Sequence, residues 1–533
     1  MKKLSFPDSI PLYLKWILAG YLSIAIIFFF PLRYMMNLDA VSYLSIAKSY
    51  GMGHFYDAVN AYWSPLLSWV LAPFTHLKFE LLFIFKIYNI LVGSAGIIAC
   101  WMLLNILSIH ESTKAVFLSV IATIILRFVY DVTSPDLSSA VLLLFFAYYW
   151  LKGYTLQKPF ITAIWLGVLY LVKSYNFYFI SGVIVWSLLE SVFSEPNNYR
   201  NAIKKYLLVY VCFFFLVSPW LYALYSKYGY LMLTGSGGFN HGGMMYDNWQ
   251  FLLEFVPPVN NNEAVIAWQD PILASGFRDY NAFGSWNNFL FQVNVIWKNL
   301  LSIIITRSST RLVCLAGVVS LLVAYYRTYR IPRMNFLGSS FLKLLFFFSL
   351  NIAGYLFLFI EDRYLWINIL ISFIVFAHLG DQVISKWLEN TNPSKFNWKL
   401  VFTVVAINIV FLRYLNHANF FVPQPYYKFY SMKEYKLGKE FSAGHYKNSR
   451  MAKWPDSSDY QFFGSVYVAY FAEGKHYLSL PAQVEMANQL ISQNQITIVF
   501  VPSSVAVPES HVISSWNRLR EPIMGCDVYL KPH

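Results

Sequence analysis

The sequence predicts an all-α polytopic membrane domain of about eleven spans, followed by a small α/β domain outside the bilayer. Three observations predict it. Of the 533 residues, 57% are hydrophobic and only 13% are charged, which is not the balance of a soluble protein. Apolar runs long enough for a bilayer, which takes about 20 residues per helix, recur between residues 12 and 417. After residue 417 the runs shorten to strand and short-helix lengths.

In chain order the spans fall near 12–32, 83–107, 114–130, 137–151, 160–174, 176–194, 206–226, 311–326, 339–360, 364–382 and 399–417. The N-terminal stretch MKKLSFPDSIPLYLKW is basic, then apolar, and lacks a small-residue cleavage site. It reads as an uncleaved first span. Two further apolar runs are weaker. The one at 64–79 is short and carries Pro65 and Pro73; the one at 290–306 is interrupted by Asn294, Lys298 and Asn299. Both read as lying in the interface or dipping partway in.

Charge sets the sidedness. With Met1 inside and those two runs not crossing, the inside loops hold Lys2, Lys3, Lys114, Lys152, Lys158, Arg200, Lys204, Lys205, Arg327, Arg330, Arg333, Lys386, Lys395 and Lys399. That is the positive-inside pattern, and it accounts for a net charge of +13 with no nucleic acid partner. If 64–79 crossed, the basic loops at 152–158 and 200–205 would move outside. The expected topology is therefore a multi-pass protein of the cell (inner) membrane, with its N-terminus inside and its C-terminus outside. Four polar patches then share the outer face: 33–63, Asp131 to Asp136, the long segment 227–310, and Glu361-Asp362-Arg363. Their convergence at one depth marks the expected site. The four cysteines, Cys100, Cys212, Cys314 and Cys526, lie far apart in sequence and suggest neither a disulfide framework nor a thiolate metal site.

Residues 1–417 are thus the membrane domain and 418–533 an external (periplasmic) α/β domain. In the latter, 464–471, 496–502 and 526–532 read as strands. Residues 481–494 have helical spacing, with Val484, Ala487, Leu490 and Ile491 on one face. GSGGFNHGG (235–243) reads as a mobile stretch of the long external loop.

Several polar residues invite chemistry, and each has a plainer reading beside it. Asp39 opens a helical pattern with Tyr43, Ile46, Ala47 and Tyr50 on one face; it is either a reacting carboxylate or an N-cap. Asp136 follows Pro135 at the head of a span and is open to the same two readings, as is Asp131 more weakly. Lys173 lies at the outer end of a span, where the positive-inside bias disfavours it; it either serves function or snorkels. Glu361, Asp362 and Arg363 form either a solvated hairpin or a phosphate clamp, since the Arg fork matches phosphate geometry. Trp63 and Tyr62 can stack on a sugar or simply anchor at the interface. His54, His241 and Glu263 are candidate ligands for metal or substrate, although no spacing supports a metal motif. No P-loop, GxGxxG or HExxH occurs.

At DAVSYLSIA (39–47) and YWSPL (62–66) the chain resembles the GT-C superfamily of membrane glycosyltransferases. It looks most like the branch similar to protein O-mannosyltransferases and the lipid A aminoarabinose transferase. SPD (134–136), SPWLYALYSKYG (218–229) and EDRYLW (361–366) look like later family motifs, in the family's order. Two departures stand out: Ala40 follows Asp39 where many relatives carry an acid, and Trp63-Ser64-Pro65 replaces a His-Pro-Pro-type motif. The resemblance implies a GT-C-like fold. It also implies an inverting transfer of a hexosyl or pentosyl group from a polyprenyl-phosphate carrier to a glycan, lipid or protein acceptor outside. In that chemistry Asp39 is the base, and Lys173 and Arg363 steady the leaving phosphate, with Asp136, Glu361, Trp63, His54 and Tyr43 lining the substrate site. No cofactor is firmly implied; a divalent metal stays open. The competing class is a transporter or flippase of cell-envelope glycans. It calls for ionisable residues near mid-bilayer and paired broken helices, whereas the candidates here cluster at span ends.

The topology is testable. A reporter fused after His533 should read as external, and one near Arg330 as cytoplasmic. A cytoplasmic C-terminus would overturn the sidedness.

Overall fold

The computed structural model describes residues 10–246, 249–259, 263–275, 280–305, 309–329, 336–389, 398–417, 432–455, 463–522 and 525–532. Lys2, Lys3, Arg330, Arg333 and Lys395, which enter the sidedness argument, lie outside them. The helices run α1 (Leu12–Leu32), α2 (Leu38–Gly51), α3 (Phe55–Ala58), α4 (Leu66–Leu71), α5 (Leu81–Ile106), α6 (Glu111–Asp131), α7 (Asp136–Leu151), α8 (Pro159–Val172), α9 (Tyr175–Ser194) and α10 (Tyr199–Tyr228). They continue with α11 (Ser236–Tyr246), α12 (Pro271–Ser275), α13 (Trp286–Ile305), α14 (Ser309–Tyr329), α15 (Ser340–Leu356), α16 (Trp366–Trp387) and α17 (Trp398–His417). Every expected span coincides with one of these helices. Among the described residues, seven helices are long and apolar enough to cross a membrane, and the chain is a multi-pass membrane protein. Helices suit that role because all their backbone bonds close within the segment.

The chain divides into two compact units. The first, Met1–Pro31, Lys86–Ser218 and Trp286–Val422, is a helix bundle. Aromatic contacts bind its interior, such as Phe128 stacked on Trp366 at 4.4 Å and Phe179 edge-on to Phe347 at 4.6 Å. Gly317 of α14 lets α16 approach closely, since a Cβ there would sit 2.0 Å from Ser372 Oγ. Asn368 is fully buried and satisfied inside the bundle: it donates to Phe348 O and accepts from Asn351.

The second unit, Leu32–Phe85, Pro219–Ser285 and Pro423–His533, weaves three separate stretches together. After α18 (Met432–Ala443) its sheet forms from β1 (Arg450–Lys453), β2 (Lys475–Ser479), β3 (Ile498–Pro502), β4 (Asn517–Arg518) and β5 (Cys526–Leu530), in the order β2-β1-β3-β5-β4. The first three strands are parallel, joined by crossover helices α19 (Phe463–Phe471) and α20 (Val484–Gln493). Strands β3, β5 and β4 pair antiparallel. The strands expected at 496–502 and 526–532 and the helix within 481–494 are present, and Ala487 and Ile491 enter the sheet's core with Val499, Val501 and Trp516. The stretch 464–471 is a helix, not a strand. Val466 to Ala472 are each at most 2% exposed, so the run is apolar on every side and carries no period to distinguish the two. Likewise 236–246 is a helix despite its glycines, with Phe239, Gly242 and Gly243 buried.

Residues 290–306, expected to lie in the interface or to dip partway in, fall within α13, which is one of the helices long and apolar enough to cross a membrane. The sequence suggested an interruption; the helix is continuous for 20 residues, yet Gln292 and Asn299, two turns apart, both bond to the 356–358 carbonyls at the end of α15. Arg311, at the head of α14, reaches Ser302 O and Ile360 O. Helix α13 thus packs against the chain that leaves α15, holding carbonyls 356–358 from two of its turns. The run at 64–79 forms two short pieces, α4 and a 3-10 turn at Ala72–His76, that do not span.

The close approach of α18 to α19 is a specific consequence. A Cβ on Gly438 would meet Phe471 Cβ at 2.5 Å and the Val468 carbonyl at 2.9 Å, and backbone cannot swing aside. Gly438→Leu should destabilise by about 1–3 kcal/mol, as overpacking does. An unchanged melting temperature of the purified protein would show that the helices are not so close.

Candidate active site: a charged cluster and an aromatic strap

In the first unit, three turns at one end of the bundle converge on Asp136. It is the first residue of α7, 7% exposed, and its position follows from Pro135, whose fixed φ suits a helix start. Lys173, the extended residue between α8 and α9, donates from Nζ to Asp136 Oδ1 at 2.6 Å. The Ser134 hydroxyl donates to Oδ2 at 2.6 Å. Arg363, in the 3-10 turn before α16, places Nε 3.6 Å from the same oxygen and 2.6 Å from Glu361 Oε2. Aromatic rings complete the pocket around the cations. Lys173 Nζ lies 4.1 Å from the centre of the Tyr364 ring, which stacks on Tyr355, which stacks in turn on Tyr175. Lys86, 1% exposed, donates to Thr133 Oγ1 in the adjoining turn, where Arg127 pairs with Asp131 at 3.0 Å. Thus Asp136, Lys173, Glu361 and Arg363 meet. Sequence reasoning did not pick out Lys86, Tyr355, Tyr364 or Arg311, whose guanidinium stands 3.7 Å from Asp362. A fully buried Lys one turn into a span was the signal for Lys86.

In the second unit, α2 carries Asp39. The N-cap is Asn37, in extended backbone, so Asp39 is not the cap; it sits in the first turn, where the helix's positive end favours a carboxylate. The helix is buried on several sides because Ser42, Ser45 and Ser49 are small enough to be enclosed. Trp268 Nε1 donates to Asp39 Oδ1 at 3.4 Å. The Trp268 carbonyl accepts from Ser42 Oγ and from Trp63 Nε1. Trp63 packs edge-on against Tyr43 at 5.0 Å and against Trp268 at 5.6 Å, and Tyr62 joins the same group. Asn60 pins the turn: its Oδ1 accepts from the Tyr62 and Trp63 amides, and its Nδ2 donates to Gln269 O. Just beyond, Asp270, 1% exposed, holds Lys227 Nζ at 2.9 Å and accepts from the Tyr228 hydroxyl at 2.8 Å. The tripeptide Trp268-Gln269-Asp270 was not singled out in the sequence, although Lys227 and Tyr228 fall in the 218–229 motif.

His54 is elsewhere in this unit and pairs with Glu263, Nδ1 to Oε2 at 2.8 Å. That hydrogen bond first, and the carboxylate's charge second, raise the imidazole pKa. The tie is thus fully present below about pH 6.5 and is lost as pH rises through the raised value. His241 lies beside the Tyr280 ring at 5.8 Å. Among the described residues, no group of three His, Cys, Asp or Glu side chains stands close enough to hold a metal. No step below is written through one.

No protein-family model matches the chain, and neither does a curated protein. Among solved structures, the crystal structure of ArnT from Cupriavidus metallidurans bound to undecaprenyl phosphate is similar. The match covers 97% of this chain and 98% of that one, with a TM-score of 0.51 and 11% identity. The chain shares the fold of that structure, and the expected architecture is present: a polytopic helical domain with a small C-terminal α/β domain.

Asp136 balances two cations that are largely out of water. Asp136→Asn keeps the side chain's size but removes that balance. The variant should lose about 3 kcal/mol of stability, the lower end for breaking a buried pair, because Lys173 stays about a fifth exposed. A melting temperature equal to that of the parent would show that the cluster does not depend on this charge.

Proposed function

We propose that this chain is an inverting glycosyltransferase that moves a sugar from a polyprenyl-phosphate carrier to an acceptor hydroxyl on the external face of the inner membrane. One observation carries the reading: a fold shared over 97% of the chain with a transferase solved with undecaprenyl phosphate bound. The residues supply fitting chemistry. As the acceptor oxygen attacks the anomeric carbon, its proton passes to the Asp39 carboxylate. The bond from that carbon to the phosphate oxygen breaks, and the carrier leaves as polyprenyl phosphate. Negative charge grows on the leaving oxygen, and Lys173 and Arg363 are the cations assigned to it. A single displacement inverts the anomeric centre. A lipid-borne donor needs no cytosolic nucleotide.

Asp39→Asn tests the base. It keeps the side chain's size, so the protein should still fold and bind the carrier, while turnover should fall 10²–10⁴-fold. Transfer by the purified variant, measured with polyprenyl-phosphate-sugar as donor, decides it: near-normal turnover would remove Asp39 from the chemistry.

A further inference from the structure

Residues 264–270 run as a buried strap through the second unit, with every residue from Ala264 to Asp270 at most 7% exposed. One end is fastened to the C-terminal sheet, where the His476 amide on β2 donates to Val265 O at 2.7 Å. The same strand edge takes two more bonds from the long loop, Val256 N to Tyr477 O and Ser479 N to Glu254 O. The Phe255 ring stacks on Tyr477. The other end of the strap is fastened by Asp270 to Lys227 and Tyr228. Between these fixed ends, Trp268 grips α2 twice: its carbonyl accepts from Ser42 Oγ at 3.2 Å, and its indole N–H donates to Asp39 Oδ1. Helix α19 of the C-terminal part also packs on α2, with Lys48 Nζ 4.4 Å from the centre of the Tyr470 ring.

We infer that Trp268 is a positioning residue for Asp39, and that the edge of strand β2 holds Trp268 in place through the strap. The C-terminal sheet then contributes to transfer without touching substrate. An indole N–H has one donor in a fixed direction and cannot rotate away, unlike a hydroxyl. Set between fastened ends, it fixes the rotamer of the carboxylate it meets. Small errors in such placement lower the rate more than they lower binding. This inference rests on Asp39 being the base.

The test is a double-mutant cycle with purified full-length protein and polyprenyl-phosphate-sugar as donor. Trp268→Phe keeps a ring and removes the N–H. Its kcat should fall roughly tenfold to a hundredfold with the donor KM unchanged. In an Asp39→Asn background the same change should cost nothing further, because Trp268 acts through that carboxylate. A similar loss in both backgrounds, an unchanged kcat, or a loss confined to KM would overturn the inference. If Trp268→Phe does not fold, Ser42→Ala loosens the same strap more gently and should give the same non-additivity. A fully active Asp39→Asn single variant would instead overturn the base assignment itself.

Discussion

Asp136 paired with Lys173 and Arg363 is the interaction on which the arrangement of the bundle's polar end depends. Three chain turns far apart in sequence meet there. A carboxylate 6% exposed at its side chain is tolerable only if its charge is answered, and each cation needs the same in return. Ser134 takes up a further lone pair, and stacked tyrosines exclude water from the cations. The spans below need no such device. Their backbone groups are satisfied within each helix, and small residues such as Gly317 let neighbours approach.

The second unit meets a different constraint. Its sequence is scattered across three stretches, and the third carries a sheet with a hydrophobic core of its own. The other two pack onto it, Phe255 of the long loop lying against that core. The long loop supplies a partner for the exposed edge of β2, which would otherwise present unpaired amides and carbonyls. The same loop brings Trp268 to α2. Closing a sheet edge and placing a functional helix are thus two results of one set of backbone bonds.

Much of this was legible in the sequence because the bilayer imposes a length. The spans expected between residues 12 and 417 announced themselves as apolar runs of about 15 to 25 residues, and each coincides with a helix. The acidic and basic residues of the charged cluster were visible as span-end exceptions. What was not legible had no period or no local partner. Residues 464–471 are buried on every side, so helix and strand look alike. Strand β1 is four residues long and ends in Lys453. Trp268 sits in a polar loop 229 positions from Asp39, and no spacing rule reaches that far. The placement of Asn37, not Asp39, as the N-cap turned on two residues of register, which is the usual error at helix ends.

The charged cluster also indicates which of its bonds would yield to a phosphate. At rest it carries Lys173 and Arg363 against Asp136 and Glu361, a neutral set that lowers the penalty of burial. An arriving phosphate must displace a carboxylate from one cation. Asp136 is 6% exposed at its side chain and is held by Lys173 at 2.6 Å, so releasing it would strand a buried charge. Glu361 is 35% exposed at its side chain, so water can take over its bond to Arg363 at little penalty. On the proposed reading Arg363 is therefore the partner that exchanges, its planar fork passing from Glu361 to phosphate oxygens, while Lys173 remains the fixed charge. The asymmetry follows from burial alone: the same two carboxylates at equal depth would give no reason for one cation rather than the other to move.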